Sequence, residues 1–370
     1  MALVAGALAD EIDQHLAAIR RAGAEGRGSI EARAAADALA GGSASVLHRL
    51  LEAMSSDNPV AANWLRSAFE RVVARELTGG QTPPNFPLQD LATYFADADR
   101  PGPSRRLALS VCERVQPGFS KREIARLLDD PEFREDAVEL ALTAGSKALE
   151  GGDSETARAE FESAFEHARD SAQVVRASSK LVSLGVQVDV ARHLGLVTDW
   201  WLVGPFEAPA MSGFARAFPP ESAIDLQARY NDQAQQPIVW TRHRTADPLG
   251  LVNLAQAIAP AKEAVGYAYA EIDSLRTQAG EVRCGADDNC TVWLNGEKVF
   301  GREQWLNGTR FDRFVTPITL REGRNRLLVK VCQGPQHKDP QVPNNWSLQL
   351  RLCDRSGRGL EFKPVEEIGK

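Results

Sequence analysis

Two hydrophobic rhythms divide this chain. From Leu3 to about Leu194 the apolar positions recur at helical spacing, as in Leu47, Leu50, Leu51 and Met54, then Leu65, Ala68, Phe69, Val72 and Val73. Spacings of three and four place such residues on one side of a helix and leave the other side polar. Each segment therefore buries a single face and needs a neighbour. Asp57-Asn58-Pro59 and Asp129-Asp130-Pro131 put a capping side chain directly before a proline, a sequence that starts a helix at a sharp corner. The two corners follow Leu50-Leu51 and Leu127-Leu128, and a looser copy starts near Pro101 and Pro103. Between Gly152 and Gly185, Ala157, Phe161, Ala164, Phe165, Val174, Leu181 and Leu184 predict a further helix pair. A stacked helical repeat and an irregular helical bundle both satisfy this pattern.

At Asp199 the rhythm changes to alternation, with turn residues every eight to twelve positions. Strands are predicted over Trp200–Phe206, Ile238–Arg242, Val265–Ile272, Glu281–Gly285, Cys290–Leu294, Lys298–Gly301, Phe314–Leu320, Asn325–Cys332 and Trp346–Cys353. Asn295-Gly296 is the strongest turn signal, because both residues accept the positive φ angles of a two-residue hairpin. Short connections and the lack of long intervening helices predict an antiparallel sandwich. The expected architecture is thus multidomain α + β: an all-α repeat-like domain over residues 1–195, a β-sandwich over 199–358 and a tail over 359–370.

Composition adds exclusions. With 370 residues, 43% hydrophobic and 25% charged, the chain is an ordinary folded protein large enough for two cores. Its net charge is −7, and Lys and Arg are interleaved with acids, so nucleic acid is not an expected partner. No run reaches the roughly 20 apolar residues of a membrane span. Asp10, Glu11 and Asp13 interrupt the apolar start, which reads as a first helix; a cytoplasmic location is expected unless a leader has been removed. Five cysteines provide no metal spacing and no disulfide framework, although Cys284 and Cys290 flank one turn and a bond between them is sterically conceivable.

The strings Asp199-Trp-Trp-Leu-Val-Gly-Pro-Phe206, Phe218-Pro-Pro-Glu221, Gly285-Ala-Asp-Asp288, Val292-Trp-Leu-Asn-Gly296 and Leu320-Arg-Glu-Gly-Arg-Asn-Arg-Leu-Leu-Val-Lys330 resemble bacterial proteins with galactose-binding-like domains. Those are jelly rolls similar to the sugar-binding domains of glycoside hydrolases and to protective-antigen-type lectins. The corners of the first half resemble HEAT repeats, and the pair after Gly152 resembles a tetratricopeptide unit. The resemblance implies a fold and a capacity to bind, not a reaction. In some lectins with a similar Asp-Asp turn the pair holds calcium beside a sugar; here Asp287, Asp288 and Asn289 lack a second ligand loop, and a solvated turn without metal is expected.

Ligand contacts are expected from Trp305, Asn307 and Arg310 in one polar stretch and from His337 and Lys338 in another. An indole face beside amide and cationic donors is the combination that holds a sugar. No G-x-S-x-G, G-x-x-x-x-G-K-[ST] or H-E-x-x-H string occurs, so no catalytic residues are assigned. The expected function is a non-catalytic binding or scaffold protein. Its helices would meet a protein partner, and its sandwich would hold carbohydrate or another small polar ligand without a cofactor. The alternative is an accessory subunit or domain of a glycoside hydrolase or other hydrolase.

Overall fold

The computed structural model describes residues 2–365 apart from 55–56, 81, 232–234, 306–307, 336–337 and 340–344, with side chains from residue 10 onward. The chain forms two compact units, Met1–Leu140 and Ala141–Lys370. The first contains α1 (Ala2–Arg20), α2 (Ser29–Gly41), α3 (Val46–Ala53), α4 (Pro59–Glu76), α5 (Leu88–Ala96), α6 (Gly102–Val115), α7 (Phe119–Ile124) and the start of α8 (Arg134–Glu150). The residues of the helical rhythm are its core: Leu47, Leu50, Leu51, Leu65, Ala68, Phe69, Val72 and Val73 are all buried. Burying one such leucine or valine contributes about 1.5–3 kcal/mol, enough for a few helices to hold one another.

The two corners serve different purposes. Asn58 caps α4 by accepting from Ala61 N at 3.1 Å, while its Nδ2 donates to the carbonyls of Arg20 and Ala22, tying α4 to the end of α1. Asp130 accepts from the backbone N–H groups of Glu132 and Phe133 and forms a two-pronged pair with Arg105, at 2.7 and 3.1 Å. Arg105 is 1% exposed and also donates to Phe95 O, so this charge is fully enclosed. Burial pushes the Asp130 carboxyl up; Arg105 and the backbone donors outweigh it, and its pKa lies below the ordinary value.

The second unit continues with α9 (Ser154–His167), α10 (Ser171–Ser183) and α11 (Val190–Leu194). Asp153, Asp170 and Asp189 cap these three helices. The strands and two short helices follow as β1 (Asp199–Glu207), α12 (Pro219–Ser222), β2 (Arg229–Asn231), β3 (Pro237–Val239), β4 (Thr241–Arg244), β5 (Val252–Asn253), α13 (Leu254–Ala257), β6 (Ala264–Ser274) and β7 (Gln278–Asp287). The remainder are β8 (Asn289–Leu294), β9 (Glu297–Arg302), β10 (Phe314–Leu320), β11 (Gly323–Gln333), β12 (Ser347–Cys353) and β13 (Phe362–Pro364). One sheet runs β4-β1-β6-β11-β8-β9 with β13 also on β6, a second runs β10-β7-β12-β5, and β2 pairs with β3. All the strand pairs are antiparallel. The apolar faces of the two larger sheets meet in one core that includes Trp200, Ile272, Val292, Val329, Trp346 and Leu350.

Several sequence expectations change. Helix gives way to strand between Leu194 and Asp199, yet α9 to α11 belong to the same compact unit as the sheets. Val197 N donates to Leu350 O and Leu352 N to Gly195 O, which stitches the end of α11 to β12. Residues 359–365 are more than a tail: Leu360 packs in the sandwich core and β13 adds to β6. Residues 287–289 do not turn the chain back within one sheet: β7 and β8 belong to different sheets, and the chain crosses between them there. Clean alternation fails for β6 and β12, which are buried on nearly every residue. The outer face of the larger sheet carries a second apolar layer, in which Phe206, Phe218, Ile238 and Trp240 cover Tyr267, Tyr269 and Leu328. Lys330, 2% exposed, pins that cover: its Nζ donates to Glu221 at 2.8 Å and to Arg216 O at 2.6 Å.

Candidate functional site

Two strand connections expected to carry ligand contacts, β9–β10 and β11–β12, meet at one end of the sandwich beside the β7–β8 crossing. Gly334 N donates to Asp288 Oδ2 at 2.8 Å, and Asp288 N donates to Cys332 O at 2.9 Å. A side chain at Gly334 would stand 2.6 Å from Asp288 Oδ2 and 3.5 Å from the Trp305 ring, so the glycine lets three segments converge. Gln304 N donates to Asn289 Oδ1, and Thr309 Oγ1 meets Ser347 Oγ at 2.5 Å. A fourth segment joins where Glu263 N donates to Gly334 O at 3.0 Å.

The centre of this end is polar and enclosed. Asp287, Asp288 and Asn289 are 7%, 6% and 0% exposed, which corrects the expectation of a solvated turn: the crossing between sheets lies beneath the loops instead of projecting from them. Burial pushes the Asp287 carboxyl up, and its hydrogen bond to Asp288 and that neighbour's charge push it further, so Asp287 keeps its proton well above the usual carboxylate range. Burial lowers the nearby Lys262 ammonium, and the two acids oppose that shift. Asn289 Nδ2 has no hydrogen-bond partner among the described residues, a costly state for an enclosed donor. Among the described residues no group of three His, Cys, Asp or Glu side chains is arranged to hold a metal ion.

Trp305 is half-buried, packs on the outer apolar layer and donates Nε1 to Glu303 at 3.1 Å. Arg310 has an exposed side chain, while its carbonyl packs against Gly285, where a Cβ would approach it to 2.1 Å. Lys338 is exposed, and Asn307 and His337 lie outside the described residues. Sequence reasoning missed Lys262, Thr309, Gln333, Gly334 and Ser347. Lys262 and Thr309 lie in loops, and Gln333, Gly334 and Ser347 lie at or beside strand ends; they come together from far along the chain, so no local spacing marks them. All five cysteines are free and buried; Cys284 and Cys290 face each other in the core as thiols, and their mutual hydrogen bond, with burial, raises the Cys290 pKa.

No protein-family model matches the chain, and no curated protein matches it. Among solved structures, a GH31 alpha-xylosidase from Xanthomonas citri aligns at 14% identity and a TM-score of 0.19, over 35% of this chain and 18% of its own. That aligned part is less than a fifth of the xylosidase.

Proposed function

We propose that the sandwich binds carbohydrate, or another hydroxyl-rich polar ligand, at the loop end around Trp305, and that the helical unit serves as a surface for a protein partner. The observation that carries the reading is the half-buried indole of Trp305 above an enclosed set of polar groups, Asp287, Asp288 and Asn289. Sugars are held by an aromatic face together with directed donors and acceptors. The resemblance of residues 199–354 to galactose-binding-like jelly rolls supports the same reading. A hydrolytic reading draws less support, because the carboxyls of Asp287 and Asp288 touch, whereas glycoside hydrolysis uses pairs roughly 5 Å or more apart.

A glycan array probed with the full chain, repeated with calcium and with a chelator, tests the proposal. Binding is expected with a neutral glycan, unchanged by the chelator and reduced at least about tenfold in Trp305→Ala. Loss of binding on chelation would reassign the acidic pair to a cation. An array without hits, or hits indifferent to Trp305, would remove the carbohydrate reading.

A further inference from the structure

A second cleft, of about 700 Å³, opens in the β unit away from the β7–β8 crossing. It forms where the larger sheet is incomplete. β1 pairs with β6 as far as Trp201↔Tyr269, and β13 takes over at Ile272, so Ala270 and Glu271 lie between the two strands and line the cleft. Five cations from four different segments surround it: Arg192 of α11, Arg242 and Arg244 of β4, Arg358 from the β12–β13 connection, and Lys363 of β13. The lining also holds Asp189, Asp199, Glu271 and Glu361, but Asp189 is engaged as the α11 cap and Glu271 by Arg324 and Arg326, so the cations remain in excess.

Their side chains are open to a partner. Arg192, Arg358 and Lys363 are exposed and make no ion pair or side-chain hydrogen bond among the described residues. Arg242 and Arg244 share a single carboxylate, Asp199, at 3.6 and 3.4 Å, which is too long for good hydrogen bonds and leaves donors on both guanidinium forks. Between the cations the lining mixes polar and apolar surface, and its apolar part includes Trp201, half-buried, and Leu275, 65% exposed. Scattered surface charges do not need such a lining; a ligand with an organic body does.

We infer that this cleft binds a small organic polyanion, a molecule bearing two or more carboxylate, sulfate or phosphate groups on a ring-containing body. Arg242 and Arg244 take one oxyanion as a fork, Arg192, Arg358 and Lys363 take the others, and Trp201 covers the body. Asp199 competes with the ligand for the β4 arginines. The site shares no residue with the Trp305 end and does not depend on the carbohydrate reading.

Titration calorimetry on the full chain tests it with three probes: a sulfated hexasaccharide, a nucleoside triphosphate and a neutral hexasaccharide. At least one anionic probe is expected to bind, with an affinity that falls as salt rises, and the neutral one is not expected to respond to changes at this site. The double variant Arg242→Gln/Arg244→Gln should weaken binding by about tenfold to a hundredfold. Asp199→Asn should tighten it several-fold, a gain that damage to the fold would not produce. Failure of both anionic probes to bind, or binding indifferent to the two β4 arginines and to Asp199, would overturn the inference. Preference between the sulfated and phosphorylated probes identifies the source of the anion.

Discussion

Asp130 and Asp287 show how the same carboxyl group acquires opposite roles from its surroundings. Asp130 is held below the ordinary carboxylate value by Arg105 and two backbone donors. A depressed acid contributes stability that is complete above its unfolded pKa and is lost as the pH falls through the folded value. Asp130→Asn should leave the Arg105 charge enclosed and unpaired, destabilising the protein by about 3–5 kcal/mol at neutral pH. Chemical denaturation at pH 7 checks this, and the difference from the parent should shrink towards pH 2–3. Asp287 is raised by burial and by Asp288, so the folded state holds the extra proton and stability declines as the pH climbs from about 4 towards the folded value. Asp287→Asn mimics the protonated form. It should flatten that decline and raise stability by about 1–2 kcal/mol near pH 8, measured as melting curves across pH 4 to 9. Both residues stand in turn-forming strings, and the sequence marks Asp130 as a cap; neither string discloses the Arg105 pair or the enclosure of Asp287, because those partners are 25 positions away or on another sheet.

Glycines at the ends of elements separate conformational cost from steric cost. Gly195 ends α11 at φ +71, and a Cβ there would come 2.0 Å from Leu352 O. Gly296 closes the β8–β9 hairpin at φ +83 with open space around it. Alanine at 296 should cost only the left-handed conformation, about 1 kcal/mol, whereas alanine at 195 must also force β12 away and should cost at least about 3 kcal/mol. Thermal melts of the two single variants decide the order. Hairpin geometry was legible in Asn295-Gly296, since a two-residue turn demands those residue types. The tight approach at Gly195 was not, since it depends on which strand passes beside the helix end.

For the whole molecule, the compact division before Ala141 makes α9 to α11 part of the β unit. Arg351, 2% exposed, reaches from β12 to Asp312 at 2.7 Å and to the carbonyls of Leu194 and Gly357. Val197 and Leu360 lie in the sandwich core. A fragment of residues 199–358 lacks all of these contacts beyond its ends and should melt well below a fragment of 152–370, by about 10 °C or more, or fail to fold; circular dichroism of both fragments checks this. By itself the sequence determined what depends on near neighbours: the helical and strand rhythms, the change between them at Leu194 to Asp199, the cap at Asn58 and the hairpin at Asn295-Gly296. Those features follow from side-chain periodicity and from backbone angles that few residues accept. Only the tertiary structure decided that the Asp287-Asp288 turn passes between two sheets and is buried, that Trp305 rests beside Gly334, and that five cations gather around a gap in the larger sheet. Each of these is a meeting of segments distant along the chain, governed by strand order and sheet packing, and periodicity carries no information about either.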